Sequence, residues 1–137
     1  MKIKLLIIEP DRSFRENLAS IFACKNYRIY KVDGALRARK ILERMDIDVV
    51  LLSLIMLKQN GLPILKWIKK KCHLTEVILI NNSEKLSLSI EGMKLGAFAD
   101  FLVPLDVNSL LAAVEEACQL KRGKKLKLKT KGKIPLL

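Results

Sequence analysis

Short, almost uninterrupted apolar runs alternate along this chain with segments in which apolar residues recur at helical spacing. The runs are Lys2 to Ile8, Tyr27 to Val32, Asp48 to Leu52, Glu76 to Ile80 and Phe98 to Val103. Their length and composition are typical of strands that are covered on both faces. Five strands alternating with helices predict an α/β fold, in which a doubly wound parallel sheet is the middle of three layers.

Capping residues predict where several of the helices begin and end. Asp11 can cap the first helix, Pro63 suits the first turn of the third, and Ser83 can cap the fourth. Gly96 then ends the fourth helix at its carboxyl terminus. Asn60-Gly61 predicts a tight turn before the third helix, in which the glycine can adopt a positive φ.

Polar residues follow the strands at the points where the strands end. Glu9-Pro10-Asp11 follows the first strand, and Ser53, Asn81 and Pro104 follow the third, fourth and fifth. In an open parallel sheet the functional crevice lies beyond these carboxyl ends, so we expect the site there. Residues 9–13 contain no glycine and begin with acids, which would repel a phosphate. This argues against the alternative of a cofactor-binding enzyme on the same fold.

Composition restricts the classes of protein further. The chain of 137 residues fits one domain, and because only 5% of it is aromatic, we expect a core of Leu, Ile and Val. Cys24, Cys72 and Cys118 are widely spaced, and His73 adds no recognisable metal-ligand spacing, so we predict neither disulfides nor a metal site. No apolar run approaches the roughly 20 residues of a membrane span. The apolar start is cut off at Glu9, unlike a signal peptide, so we expect a cytoplasmic protein.

The net charge of +12 is concentrated at the carboxyl terminus. Residues 121–137 contain no acid and eight basic residues: Lys121, Arg122, Lys124, Lys125, Lys127, Lys129, Lys131 and Lys133. Removing these eight charges leaves +4 for residues 1–120. We therefore predict a domain at 1–120 and a solvated, flexible basic tail at 121–137. Such a tail can bind nucleic acid or anionic lipid, but without aromatic residues any nucleic-acid binding would be nonspecific and salt-dependent.

Several of these features together resemble the receiver domain of response regulators, over about residues 2–120. They are Ile7-Ile8-Glu9-Pro10-Asp11, Asp48 to Ser53, Met56 with Asn60-Gly61, Gly96-Ala97, and Pro104. The resemblance implies a flavodoxin-like sheet with strand order 2-1-3-4-5 and a place in two-component, phosphorelay-type signal transduction. It also implies a site where an aspartate, assisted by Mg²⁺, takes a phosphoryl group from a histidine kinase.

The chemical positions of that family are altered in this sequence. The acidic pair falls on Glu9 and Pro10, with Asp11 next in line, the acceptor aspartate on Ser53, the hydroxyl on Asn81, and the lysine on Val103, before Pro104. A serine is a weak nucleophile without an activating base, and a valine cannot pair with a phosphoryl oxygen. We therefore predict a degenerate pocket in a pseudo-receiver that is not an enzyme.

Three residues in this pocket keep alternative interpretations. Glu9 and Asp11 are residual metal candidates or simply strand-end acids, with Asp11 as a helix cap. Ser53 either fills the altered pocket or is itself phosphorylated. We favour the simpler interpretation of each, so no cofactor is expected and Mg²⁺ binding is expected to be weak or absent.

The fourth helix has apolar residues on two opposite faces. Leu86, Ile90 and Met93 share one face, and Leu88 and Leu95 lie on the other. Only one face can be buried, and we expect Leu88 and Leu95 to be exposed. In receivers this helix, the fifth strand and the last helix form the usual partner or dimer surface. The resemblance thus implies a partner surface of Leu88, Leu95, Asp100 and Phe101, with either Asp100 or Phe101 at the switch aromatic position.

The leading hypothesis is a phosphorylation-independent signalling module that acts through protein–protein interaction. Its partner would be a histidine kinase, another regulator or a second copy of the chain. The alternative is a nucleic-acid-associated regulator that uses the basic tail as its binding element.

Overall fold

The computed structural model describes residues 1–24 and 26–133, with side chains up to Thr130. The strands are β1 (Ile3–Ile8), β2 (Tyr27–Val32), β3 (Val49–Ser53), β4 (Glu76–Asn81) and β5 (Ala99–Leu102). The helices are α1 (Arg12–Ile21), α2 (Ala35–Arg44), α3 (Leu62–Lys71), α4 (Leu86–Lys94) and α5 (Val107–Lys133). All strand pairs are parallel, in the order β2-β1-β3-β4-β5. This confirms the predicted α/β architecture and strand order.

Alternate side chains of the strands supply two separate apolar layers. Leu6 and Ile8 of β1 belong to the layer covered by α2, α3 and α4. Leu5 and Ile7 belong to the layer covered by α1 and α5, where Phe22 is also fully buried. Because β1, β3 and β4 are buried on both faces, nearly every one of their residues is apolar, and the polar ones lie close to the strand termini.

Helix α4 packs against the sheet with the face opposite to the one predicted to be buried. Ser89 and Gly92 are buried against the sheet, and a methyl group at Gly92 would overlap the end of the Leu79 side chain. The smallest residues of the helix therefore decide which face approaches the strands. Leu88 and Leu95, predicted to be exposed, flank this contact and pack partly buried against the core. The prediction of an exposed Leu88–Leu95 patch was wrong.

The opposite stripe of α4 is the exposed one. Leu86, Ile90 and Met93 keep 48%, 59% and 39% of their surface accessible. The start of the helix also differs from the prediction, because residues Ser83–Lys85 form a short 3₁₀ turn. The side chain that caps this turn is that of Asn82, which accepts a hydrogen bond from the backbone N–H of Glu84 at 3.0 Å.

Helix α5 continues through the segment that was predicted to be a separate tail. It runs without interruption from Val107 to Lys133, so the boundary at residue 120 does not correspond to a structural break. Lys121 is only 2% exposed, which corrects its assignment to a solvated extension. The physical reason is a set of acidic residues at the amino ends of the strands, which pair with the first basic residues of the segment. Residues 134–137 and the side chains of Lys131 and Lys133 lie outside the described part.

Candidate functional site

Three polar side chains meet at the carboxyl ends of the central strands. Glu9, Ser53 and Asn81 line a cavity of about 160 Å³, which is completed by Phe14, Ile55, Ile80, Asn82 and Val103. Pro10 and Asp11 line a neighbouring hollow instead, whose wall is shared by Glu9 and by residues of the β3–α3 loop. The structure thus brings together Glu9, Ser53, Asn81 and Val103 of the predicted pocket. Asp11, Pro10 and Pro104 are not part of the cavity wall.

Glu9 is the charged group of this cavity and is almost completely buried, with 6% of its surface exposed. Burial raises the pKa of its carboxyl group, a hydrogen bond from the Ser53 hydroxyl partly opposes that shift, and the negative charge of Asp11 adds to it. Its Oε2 atom has no hydrogen-bond partner among the described residues. The neighbouring Arg15 donates instead to the backbone carbonyl of Glu9, at 2.8 Å, and to that of Pro10. Glu9 therefore has no direct cationic partner in the described structure.

Ser53 ends β3 and lies buried under the loop that follows. That loop is closed by an antiparallel bridge between Ile55 and Asn60 and by a 3.0 Å hydrogen bond from the Gly61 N–H to the Leu54 carbonyl. Gly61 has a φ of −80°, so this turn does not use the positive φ that glycine permits. A Cβ at this position would lie 2.7 Å from the Ser53 carbonyl oxygen, and close approach is therefore what requires glycine.

Asn81 connects the end of β4 to the start of α4. Its amide nitrogen donates to the Lys85 carbonyl at 2.7 Å and to the Ser89 hydroxyl at 2.8 Å. Its Oδ1 atom is buried and has no partner within the described residues. Sequence reasoning did not assign a role to Ser89, although a serine between the apolar residues Leu88 and Ile90 was an available signal. Asn81 thus orients α4 and leaves only an acceptor atom beside Ser53.

The acidic residues do not form a site that fits a magnesium ion. Asp11 is exposed, and its side chain accepts a hydrogen bond from the Phe14 N–H at 3.2 Å, as the predicted helix cap does. In residues 1–24 and 26–133 no three His, Cys, Asp or Glu side chains come together as a metal site would require. Mg²⁺ prefers near-octahedral oxygen coordination with carboxylate ligands, and this cavity offers one buried carboxylate whose pKa is raised.

The register of β5 fixes the positions that the sequence left open. Phe101 pairs with Ile80 and packs partly buried against the layer beneath α1 and α5. Asp100 pairs with Leu79 and is exposed. Val103, which is 37% exposed, contributes an apolar wall to the cavity at the position predicted for the lysine. Of the four residues predicted for the partner surface, only Asp100 is fully exposed.

At the other end of the sheet, acids hold the basic segment of α5. The Lys121 ammonium lies 2.7 Å from Asp46 and 3.1 Å from Asp48, and Lys125 also pairs with Asp46. Arg122 donates to Asp48 at 3.2 Å and to the Lys2 carbonyl at 2.8 Å. These residues were predicted to belong to a polyanion-binding tail, but here their charges are already compensated. The acidic residues that precede β3 and the one that begins β4 were the signal that sequence analysis missed.

The pKa of Asp48 reflects this arrangement. Burial alone would raise the pKa, but hydrogen bonds from the Lys4 N–H, Lys121 and Arg122 outweigh burial and lower it. The Asp46 carboxyl behaves similarly, because burial is outweighed by hydrogen bonds from Lys121 and Lys125. Both carboxylates are therefore stabilised in their charged form by the segment that they hold.

A five-stranded parallel sheet with this order, with polar strand ends around one cavity, has the receiver-type, flavodoxin-like architecture. The family model described as the response regulator receiver domain matches residues 5–115, and the chain belongs to this family. Receiver domains are signalling modules and not typical enzymes. Within the described residues, no helix is both long enough and apolar enough to cross a bilayer.

Known proteins similar to this chain include regulators that are much longer. The regulatory protein AtoC of Escherichia coli is 26% identical over 122 residues, which cover 89% of this chain and 26% of AtoC. A putative NtrX-like response regulator of Rickettsia bellii is 25% identical, and the match covers 96% of this chain and 28% of that regulator. The chain thus spans about a quarter of the length of these curated relatives.

Solved structures show the same fold at lower identity. NtrX from Brucella abortus superimposes with a TM-score of 0.84 at 19% identity, covering 100% of this chain and 31% of NtrX. A CheY-like receiver domain protein from Methanospirillum hungatei gives 0.83 at 17% identity, covering 90% of this chain and 99% of that protein.

Proposed function

We propose that this chain is a pseudo-receiver, a signalling module that acts through protein–protein contacts without a phosphoryl group as its switch. The observation that carries the proposal is Ser53, buried at the end of β3 in the wall of the cavity that Glu9 also lines. Family resemblance assigns the phosphoryl acceptor to this position. A serine hydroxyl cannot form the acyl phosphate that an aspartate forms.

The rest of the cavity supports the same proposal. A phosphoryl group presents oxygens and needs donors or cations around it. The groups beside Ser53 are the Glu9 carboxyl and the unpartnered Oδ1 of Asn81, which both present oxygen acceptors, and Val103 brings no charge. We further propose that Mg²⁺ binding here is weak or absent, because the single buried carboxylate would be the main ligand.

The exposed stripe of α4 supplies a surface for the proposed contacts. Leu86, Ile90 and Met93 lie at helical spacing, and Leu102 of β5 and Val107 at the start of α5 are also exposed. Apolar groups that share one surface of a soluble domain commonly mark an interaction site. The proposed partner is a protein of the same signalling system, either a histidine kinase or another regulator.

Nuclear magnetic resonance shift mapping tests the absence of a phosphoryl switch. The chain is titrated with Mg²⁺ and beryllofluoride, a mimic of the phosphoryl group, and backbone amides are followed. The matched control is the double variant Ser53→Asp/Val103→Lys, which restores an acceptor and a cation at their family positions. We expect shifts in the control but none at Glu9 or Ser53 of the natural chain. Saturable shifts there in the natural chain would refute the proposal.

A further inference from the structure

A groove lies at the amino ends of the strands, away from the cavity described above. The carboxyl-terminal part of α5 and the α3–β4 loop enclose about 350 Å³. Leu74 and Leu128 supply its apolar surface, Lys124 and Lys127 its charge, and His73 completes the wall. None of these residues contributes to the Ser53 cavity, so the groove needs a separate explanation.

One buried carboxylate fixes both walls of this groove. Glu76, whose side chain is 5% exposed, pairs with Lys69 of α3 at 3.2 Å and with Lys124 of α5 at 3.6 Å. The same Lys69 ammonium donates to the carbonyls of His73 at 3.3 Å and Thr75 at 3.1 Å. The loop wall and the helix wall are therefore held in place through a single ion-pair network.

The α5 wall is fixed a second time by the ion pairs of Lys121 and Arg122 with Asp48. These contacts lie one helical turn before Lys124 and two turns before Leu128, and they set the direction in which α5 leaves the domain. Because the walls of the groove are already fixed in the folded chain, no conformational entropy is lost in ordering them when a partner binds. This lowers the free-energy cost of association.

The charge in the groove that is not neutralised by a carboxylate among the described residues is positive. Lys124 shares the already paired Glu76, and no described carboxylate lies within ion-pair distance of Lys127. Nucleic acid would use the lysines through its phosphates and leave Leu74 and Leu128 uncovered, and the groove offers only the small imidazole ring of His73 for a base to stack on. A second copy of α5 would bring lysines against lysines. The pairing of leucines with lysines instead matches a segment that contains both carboxylates and aliphatic side chains.

We propose that this groove binds an acidic protein segment, whose carboxylates pair with Lys124 and Lys127 and whose aliphatic side chain covers Leu74 and Leu128. Charge complementarity brings the segment to the groove, and the apolar contact distinguishes it from other polyanions. This interaction is independent of the α4 surface and of the state of Ser53.

The chain offers a matched pair of variants for the test. Leu126 and Leu128 are both exposed on the same helix, 66% and 52%, but only Leu128 lines the groove. Lys127 and Lys129 are related in the same way. The test variant is therefore Leu128→Ser/Lys127→Gln, and the control is Leu126→Ser/Lys129→Gln, which removes the same charge and the same apolar group outside the groove.

The probe is a fluorescein-labelled Glu-Glu-Leu-Leu-Glu-Glu peptide, whose binding to the full chain is followed by fluorescence polarisation. We expect the test variant to weaken binding roughly tenfold and the control to change it less than about twofold. Amide shifts on peptide addition should centre on Leu74 and Leu128. A peptide with serines in place of its leucines should bind as weakly as the test variant.

Three results would overturn the proposal. They are an absence of peptide binding, an equal loss in the two double variants, and full retention of affinity by the serine peptide. Oligothymidylate and phosphatidylglycerol vesicles serve as competitors that present phosphate without carboxylates. If either binds more tightly than the peptide and depends on Lys127 and Leu128, the groove is a phosphate or membrane site and the proposal fails.

Discussion

Replacing Asp48 by Asn should destabilise the chain, because it leaves the buried Lys121 ammonium with too little negative charge. Asp48 receives hydrogen bonds from Lys121 at 3.1 Å, from Arg122 at 3.2 Å and from the Lys4 N–H at 2.9 Å. Lys121 is 2% exposed, and its other partner, Asp46, is about half exposed. The substitution keeps the size of the side chain and one acceptor atom but removes the charge.

Removal of one partner of a buried ion pair costs about 3–5 kcal/mol. Asp46 remains beside Lys121 and the amide of Asn can still accept from the Lys4 N–H, so we expect a loss below that range, about 2–3 kcal/mol. For a chain of this length that corresponds to a fall in Tm of roughly 6–10 °C. Lys121→Met, which replaces the ammonium by an apolar group of similar length, should cost less.

Urea unfolding of the two single variants and of Asp48→Asn/Lys121→Met measures the coupling. The double variant should be more stable than the sum of the single losses predicts, by about 1 kcal/mol or more. Because the pKa of Asp48 is lowered in the folded state, its contribution is present at neutral pH and is lost as the pH falls below the ordinary value of 3.8. The difference between natural chain and variant should therefore shrink in acid. A loss below about 0.5 kcal/mol at neutral pH, or strict additivity, would refute the assigned network.

Three further predictions test the site and the two faces of α4. Gly61→Ala should cost roughly 1–3 kcal/mol in urea unfolding, because its Cβ would meet the Ser53 carbonyl. Gly123→Ala, in open space within α5, should instead stabilise the chain by about 0.5–1 kcal/mol. Equal effects of the two substitutions would contradict the close-approach argument. Glu9→Gln should raise the stability of the chain at neutral pH, because the raised pKa of Glu9 means that its charged form is unfavourable in the folded state. This gain should vanish below the ordinary pKa of 4.5, where the Glu9 carboxyl is protonated in both states. A loss of stability at neutral pH would show that the Glu9 charge is compensated. Ile90→Lys should leave Tm nearly unchanged and Leu88→Lys should lower it clearly, and the reverse order would restore the face predicted from sequence.

Strand positions could be predicted because burial on both faces leaves a direct record in the sequence. The run Tyr27 to Val32 coincides with β2, and Glu76 to Ile80 misses only the last residue of β4. The edge strand β5 is two residues shorter than predicted, because the apolar residues Phe98 and Val103 extend the run beyond the residues that pair with β4. The convergence of Glu9, Ser53 and Asn81 followed from parallel topology alone.

The errors arose where the outcome depends on contacts between distant parts of the chain. The hydrophobic pattern of α4 allowed either of two faces to be buried. The fit of Gly92 against Leu79 determines which face is buried, and this fit cannot be predicted from the spacing of apolar residues. The segment after residue 120 has the composition of a solvated tail. Its counter-charges, Asp46 and Asp48, are more than seventy positions away along the chain, so only the folded sheet reveals that the segment continues α5.

Intact-mass spectrometry after incubation with acetyl phosphate and Mg²⁺ tests the central claim most directly. We predict that the natural chain gains no phosphoryl group, while Ser53→Asp/Val103→Lys gains one that is lost on base treatment, as an acyl phosphate is. A phosphoryl adduct at Ser53 or at any pocket residue of the natural chain would contradict the account, and its lability to base would show which kind of bond had formed.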